Sequence, residues 1–223
     1  MNTVRTVRVT GKGRIRIAPD VTRIFLTLSD RCPLYQKALE DSAKNTALLR
    51  GILTEQGFGP EDLKTVDFSV DPEYEGYQVK GVYKQRLAGY RYRHEMKIEF
   101  ASDAARLGRI LTALSGCPAN PELSIAYAVR DPEKAKNELL SRAVRDAREK
   151  ARVLAEAAGL TLGEILTVDY SWGEIEFERR PVRMELTNDA DADFLTKKES
   201  VEMDVTPDDL ETTDTVTVVW EIS

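Results

Sequence analysis

The opening of the chain alternates between apolar and polar side chains, which is the pattern of β-strands. The alternation covers residues 4–10 and 14–18 and returns more strongly over 21–28. Gly11 and Gly13 separate the first two runs, and two glycines around a polar residue predict a turn or bulge. We therefore expect three strands, the first two joined by a tight connection.

A long helix and a long hairpin are predicted next. Apolar residues recur at helical spacing over residues 34–53, and Gly57 is a typical residue to end such a helix. Strand-like alternation then covers 64–74 and 87–100, on either side of a polar stretch at 75–85. The two strands are expected to pair as a hairpin with that stretch as its tip.

The second half repeats this order of elements. Asp131 followed by Pro132 is a strong helix start, because aspartate caps the first turn and proline fits its first position. The predicted elements after residue 100 are a helix capped by Ser102, a strand over 123–129, a helix from Pro132 to Ala158, and strands over 161–172, 201–205 and 214–222.

An internal similarity connects the two halves at a constant offset of 102 residues. Both matching segments follow a long helix, which favours a duplicated unit. The alternative is two unrelated helix-to-strand turns that use the same glycine chemistry. The eight positions that match the residues 102 later, in identity or type, are Gly57, Phe58, Leu63, Thr65, Val66, Asp67, Phe68 and Ser69.

These elements predict an α+β fold of two similar strand-helix-strand-strand units, at about 20–100 and 122–223, with long hairpins. An N-terminal strand and a linking helix are additional to the units. We expect a single domain with sub-units 1–100 and 101–223, the second interrupted by an irregular acidic insertion at about 173–200.

Several short motifs, in this order and spacing, resemble the SIMPL-domain family. The resemblance covers nearly the whole chain except about 173–200. The motifs are Val7-Arg8-Val9-Thr10-Gly11-Lys12-Gly13, Ala18-Pro19-Asp20, Asp62-Leu63-Lys64-Thr65, Pro72-Glu73-Tyr74, Gly89-Tyr90, Asp131-Pro132, Gly159-Leu160-Thr161-Leu162-Gly163-Glu164, Thr206-Pro207-Asp208-Asp209-Leu210 and Thr215-Val216-Thr217-Val218-Val219-Trp220.

The resemblance implies an α+β protein without an established enzymatic activity. It also implies relatives that are exported envelope proteins, some of them linked to stress tolerance, and one relative that forms a large ring-like oligomer.

Charge is concentrated late in the chain. The formal net charge is −6, and residues 184–211 alone carry −8, from ten acids and two bases. The remaining residues are close to neutral, so the sequence does not predict a basic body that attracts nucleic acid or anionic lipid. No run approaches 18 apolar residues, and the opening residues show no apolar leader pattern. These features predict a cytoplasmic protein without a membrane span.

Histidine and cysteine, which often carry catalysis, are scarce in this chain. His94 is the single histidine, and it lies in a strand whose alternation already explains it. Cys32 and Cys117 are 85 positions apart, a spacing that predicts no zinc site. We expect no catalytic residue, no cofactor and no metal.

Three further charged patterns have ordinary explanations. Asp189, Asp191 and Asp193 imitate the start of an EF-hand loop, but the glycine and glutamate that the loop needs are missing. Acids and bases alternate over residues 133–152 as on an ordinary solvated helix face. Basic and aromatic residues interleave over 90–100 but would lie on opposite faces of a strand, so we expect no nucleic-acid binding.

The leading functional interpretation is a non-enzymatic, self-associating scaffold or stress-related binding protein, most simply a homo-oligomer. Residues 4–10 are a second strand edge that could pair with another chain. Two alternatives stay open: an adaptor that binds a basic protein partner through residues 184–211, and an unrecognised enzyme with a carboxylate-based site. The residues expected to carry self-association lie near the hairpin tip and are Tyr74, Tyr77, Val79, Val82 and Tyr83.

Overall fold

The structure is a computed structural model that describes residues 5–79, 81–170, 182–184 and 208–223. Its helices and strands confirm the predicted α+β class. In chain order they are β1 (Thr6–Ile17), β2 (Val21–Cys32), α1 (Tyr35–Glu55), β3 (Lys64–Val79), β4 (Val82–Ala101), α2 (Ala104–Ser115), β5 (Glu122–Ala128), α3 (Pro132–Ala157), β6 (Leu162–Asp169), β7 (Val182–Met184) and β8 (Leu210–Ile222).

The chain forms two compact units. The first unit contains residues 1–19, 128–179 and 207–223, and the second contains 20–127 and 180–206. This division differs from the predicted sub-units 1–100 and 101–223, because the N-terminal strand pairs along its whole length with the C-terminal strand β8.

The first unit is a three-stranded antiparallel sheet in the order β1-β8-β6, with α3 packed on one face. Its core combines the apolar face of β8 with a stripe of alanines on α3, whose small side chains let the helix lie close to the sheet. The fully or nearly buried residues of this core are Val9, Ala143, Ala147, Ala151, Val216, Val218 and Trp220.

Gly11 and Gly13 lie inside one continuous strand, so the predicted turn or bulge between them is wrong. A Cβ atom at Gly11 would lie 2.1 Å from the carbonyl oxygen of Ala143, and one at Gly13 would lie 2.2 Å from that of Leu139. The glycines therefore allow α3 to approach the strand, and the sequence signal for a turn arose from a packing requirement.

The second unit is a five-stranded sheet in the order β3-β4-β2-β5-β7, whose apolar face packs against α1 and α2. The face of β4 that points to α1 is almost fully buried, and the hydroxyl group of Tyr92 accepts a hydrogen bond from Asn45 at 2.9 Å. The cap of α2 is Asp103, which accepts from the backbone N–H of Arg106, and the predicted cap, Ser102, donates its own N–H to Asp20.

The repeated segments 65–67 and 167–169 occupy equivalent places, as predicted. Each follows a helix that ends beside a glycine of positive φ, Gly57 or Gly159. Each then lies in an outer strand, β3 or β6. The neighbour of that strand, β4 or β8, also pairs with the strand that precedes the helix, β2 or β1. The first strand of the second repeat is β1, however, and not the strand predicted from 123–129, because β5 joins the sheet of the other unit.

Candidate functional site

The β3–β4 hairpin extends beyond the rest of its sheet. β2 pairs with β4 only as far as Cys32 opposite Tyr90, but β3 and β4 continue to pair up to Val79 opposite Val82. Residues 75–85, predicted as a polar tip, are therefore largely strand. The part of this hairpin over residues 73–79 and 81–89 is called the ribbon below.

A backbone irregularity marks the start of the ribbon. The register shifts between Glu73 and Tyr74, which leaves Ala88 as an extra residue on β4. The adjacent Gly89 has φ 153°, and a Cβ there would lie 2.6 Å from the carbonyl oxygen of Cys32. Bulges bend and twist a strand pair, so this point redirects the ribbon where β2 ends.

Glu73 of β3 connects β2, β3 and β4 at the start of the ribbon. Its carboxylate forms ion pairs with Arg31 of β2, at 3.2 Å, and with Arg91 of β4. The hydrogen bond and charge of Glu73 raise the pKa of Arg91 above its usual value. One carboxylate thereby fixes the base of the ribbon to the sheet.

The ribbon exposes apolar side chains on both faces. Strand alternation and the observed register place Tyr77, Val79 and Val82 on one face and Tyr74, Tyr83 and Leu87 on the other. Their exposed fractions run from 37% for Tyr77 to 81% for Tyr83. An alternative in which the tip folds back onto its own body does not agree with these values.

All five predicted residues thus lie together on the ribbon, and the structure adds Leu87, directly opposite Tyr74. The sequence pattern places Leu87 in the returning strand and not in the tip, because the predicted tip ends at residue 85. The cross-strand pairing is the signal that identifies it, and that signal requires the register.

The second predicted edge, residues 4–10, belongs to the longer strand β1, part of whose outward edge is covered beyond Val9. Three charged side chains of α3 reach over β1 and bond its outward backbone groups. Asp146 accepts from the N–H of Lys12 at 2.7 Å, and Lys150 donates to the carbonyl oxygen of Thr10 at 3.4 Å. Arg142 donates to the carbonyl oxygen of Arg14 at 3.1 Å. Side chains of its own unit therefore close the edge from Thr10 to Arg14. The prediction that residues 133–152 present an ordinary solvated helix face is wrong for these three residues of α3.

His94 lies between α1 and the hairpin and bonds to hydroxyl groups through both ring nitrogens. Thr46 Oγ1 donates to the carbonyl oxygen of Ser42 at 2.8 Å, so its remaining role toward His94 Nδ1, at 3.1 Å, is that of acceptor. Nε2 then accepts from Thr65 Oγ1 at 2.9 Å. These contacts are compatible with a neutral imidazole, the form that burial favours, and they connect helix and strand.

Burial, and secondarily the charge of Arg50, lower the pKa of His94 below its usual value. Because the folded state disfavours the charged ring, stability is complete above the unfolded pKa of about 6.5 and decreases as pH falls below it. We expect urea unfolding to show this loss between pH 7 and 5.5, and His94→Gln to reduce it. Since His94 is the only histidine, an unchanged pH dependence in the variant would contradict this origin.

The cysteine thiols are buried. Burial raises the pKa of Cys32, with a further contribution from Asp41, which accepts from its Sγ at 3.6 Å. A thiol held protonated is a poor nucleophile. In the part of the chain that the structure describes, no His, Cys, Asp and Glu side chains are grouped so as to hold a metal.

Several predictions fall outside the described residues. They concern the EF-hand-like Asp189, Asp191 and Asp193, the strand at 201–205, and nearly all of the acidic segment 184–211 proposed as an adaptor surface. Among the described helices, none is long and apolar enough to cross a membrane.

Fold and ribbon together define an α+β protein with two antiparallel sheets and a projecting hairpin. The profile of the family described as "SIMPL: Protein of unknown function (DUF541)" matches residues 7–220. The chain therefore belongs to the SIMPL family, as its motifs predicted.

Relatives are similar over most of this chain. The 26 kDa periplasmic immunogenic proteins of Brucella melitensis and Brucella abortus are each 25% identical over 181 residues, which is 80% of this chain and 69% of the relative. The uncharacterized protein YggE of Edwardsiella ictaluri is 25% identical over 164 residues, 74% of this chain and 67% of the relative.

The names of the two Brucella relatives contradict the predicted cytoplasmic location, which is wrong. That prediction used the opening residues and the absence of a long apolar run. The relatives point instead to an exported protein.

Proposed function

We propose that this protein is a non-enzymatic, self-associating scaffold or binding protein of the periplasm, and that the ribbon is the contact between copies. The observation that carries the proposal is the exposure of six apolar side chains on a hairpin that extends past the end of β2 and pairs with no other described strand there. The periplasmic location follows the printed names of the Brucella relatives.

Physical chemistry favours a second copy on the ribbon. A two-stranded hairpin is at best marginally stable in water, so a partner that covers it stabilises it. The exposed parts of the three tyrosines, two valines and one leucine offer roughly 500 Å² per copy, near the roughly 600 Å² per side at which specific interfaces begin. Tyrosine is also enriched at interface centres.

The non-enzymatic part of the proposal is supported by the state of the reactive side chains. Both nitrogens of His94 are engaged with threonine hydroxyls, and Cys32 and Cys117 are buried. None of these three residues lies on the ribbon.

The test compares Tyr77→Ser/Tyr83→Ser with the wild type by sedimentation velocity at high micromolar concentration. We expect a wild-type mass above that of a monomer and at least a twofold lower mass for the variant, because one aromatic side chain is removed from each face of the ribbon.

The matched control is Leu34→Ser/Leu48→Ser, which replaces two exposed apolar residues of the same unit at 65% and 39% exposure. It should keep the wild-type mass. A monomeric wild type, or equal masses for the wild type and the ribbon variant, would refute the proposal.

A further inference from the structure

β6 is an outer strand with an unusual set of exposed residues. It pairs with β8 on one side, and none of its residues hydrogen-bonds elsewhere within the described ranges. Ile165, Leu166 and Val168 expose 50%, 49% and 51% of their surface. An exposed apolar edge strand is a template for pairing with another extended chain.

The two outer strands of this sheet, β1 and β6, differ in how far side chains cover their outward backbone groups. Charged side chains of α3 bond the outward backbone groups of β1 between Thr10 and Arg14. β6 receives no such bonds from the described residues, and its apolar side chains remain exposed. Among the described residues, α3 therefore covers the edge of β1 from Thr10 to Arg14, while the outward edge of β6, whose register with β8 shifts twice, receives no such cover.

Charge distinguishes the partners that could use β6. Glu164, the third residue of β6, and Asp169, its last residue, are exposed and form no ion pair with the described part of the chain. An antiparallel pair of β6 strands in the register that sets Glu164 of each copy opposite Asp169 of the other would bring two like charges face to face. Like charges directly opposite one another destabilise a strand pair, so this arrangement is disfavoured.

We propose that β6 binds an extended polypeptide with alternating apolar residues and basic residues at both ends, by adding it as a fourth strand to the sheet. The backbone of the peptide would satisfy the free donors and acceptors of β6. Its apolar side chains would cover Ile165, Leu166 and Val168, and its basic ends would face Glu164 and Asp169. Eight residues of strand span about 26 Å, which suits a peptide of about nine residues.

The probe is a fluorescein-labelled peptide of sequence Lys-Lys-Val-Thr-Val-Thr-Val-Lys-Lys, titrated with the full chain and followed by fluorescence anisotropy. We expect saturable binding, about tenfold weaker when the four lysines are replaced by glutamate, because opposite flanking charges favour the complex. A peptide with proline at the central position should bind far more weakly, since proline removes a backbone donor.

Two variants with equal changes in charge locate the site. Leu166→Lys/Val168→Lys should reduce affinity at least tenfold. Val153→Lys/Leu154→Lys, on α3 at 51% and 52% exposure, should leave it unchanged. Glu164→Gln/Asp169→Asn keeps the apolar side chains of β6 and should weaken binding about fivefold. This variant tests the same site if the lysine variant does not fold.

Three results would overturn the proposal: no binding of the basic peptide at millimolar protein, equal loss in the β6 and α3 variants, or no preference between lysine and glutamate flanks. If the β6 variant lowers the mass of the protein while the peptide does not bind, the edge is occupied by a second copy. The ribbon variant should bind the peptide normally, so the two proposals fail separately.

Discussion

Gly11→Ala is expected to lower the free energy of unfolding by about 3–5 kcal/mol. The new methyl group would lie 2.1 Å from the carbonyl oxygen of Ala143 and 2.4 Å from the backbone nitrogen of Ala147. Both obstacles are helix backbone, so α3 has to move away. That movement also weakens the bonds from Asp146 and Lys150 to the edge of β1. Urea unfolding followed by circular dichroism measures the loss.

Gly51→Ala is the matched control, because Gly51 lies inside α1 and an added Cβ would meet nothing within 4 Å. Alanine is the better helix former, so this variant should gain about 0.5–1 kcal/mol. If Gly11→Ala were as stable as the wild type, the close approach of α3 to β1 would be wrong.

Trp220→Ala is expected to cost about 3–5 kcal/mol, because it removes a large side chain that is 2% exposed and leaves a cavity. Trp220 lies on the middle strand β8, opposite Val7 and in one cluster with Val218 and the alanines of α3. Trp220→Phe keeps part of the volume and should cost about half as much. Chemical denaturation at neutral pH gives both values.

Tyr83→Ala provides the comparison with an exposed aromatic residue. Tyr83 is 81% exposed on the ribbon, so its removal should change the stability of the dissociated protein by less than about 0.5 kcal/mol. Equal losses for Trp220→Ala and Tyr83→Ala would mean that Trp220 is not part of the core.

Much of the fold follows from local pattern. Asp131 accepts from the backbone N–H of Lys134 and Pro132 begins α3, as the start signal predicts. Gly159 has φ 71° after α3, and Val216, Val218 and Trp220 are buried on one face of the last strand. Caps, periodicity and positive φ depend on residues within one or two turns, so the sequence displays them directly.

Five of the six exposed ribbon residues were also visible in the sequence, since apolar side chains in a polar hairpin tip form a local anomaly. Their division between two faces was not visible. It depends on the register shift at Tyr74, and a shift of one residue exchanges the faces of a strand.

The amino-acid sequence by itself determined the α+β class, the family, the order of most elements and the hairpin that carries the candidate site. Tertiary structure alone decided that β5 joins the sheet of the second unit, that β1 runs straight through Gly11 and Gly13, and that Arg142, Asp146 and Lys150 close its edge. On the sequence these three residues are only an alternation of charge on a helix. Their role depends on a strand more than 120 positions away, and such non-local contacts leave no periodic signal in the chain.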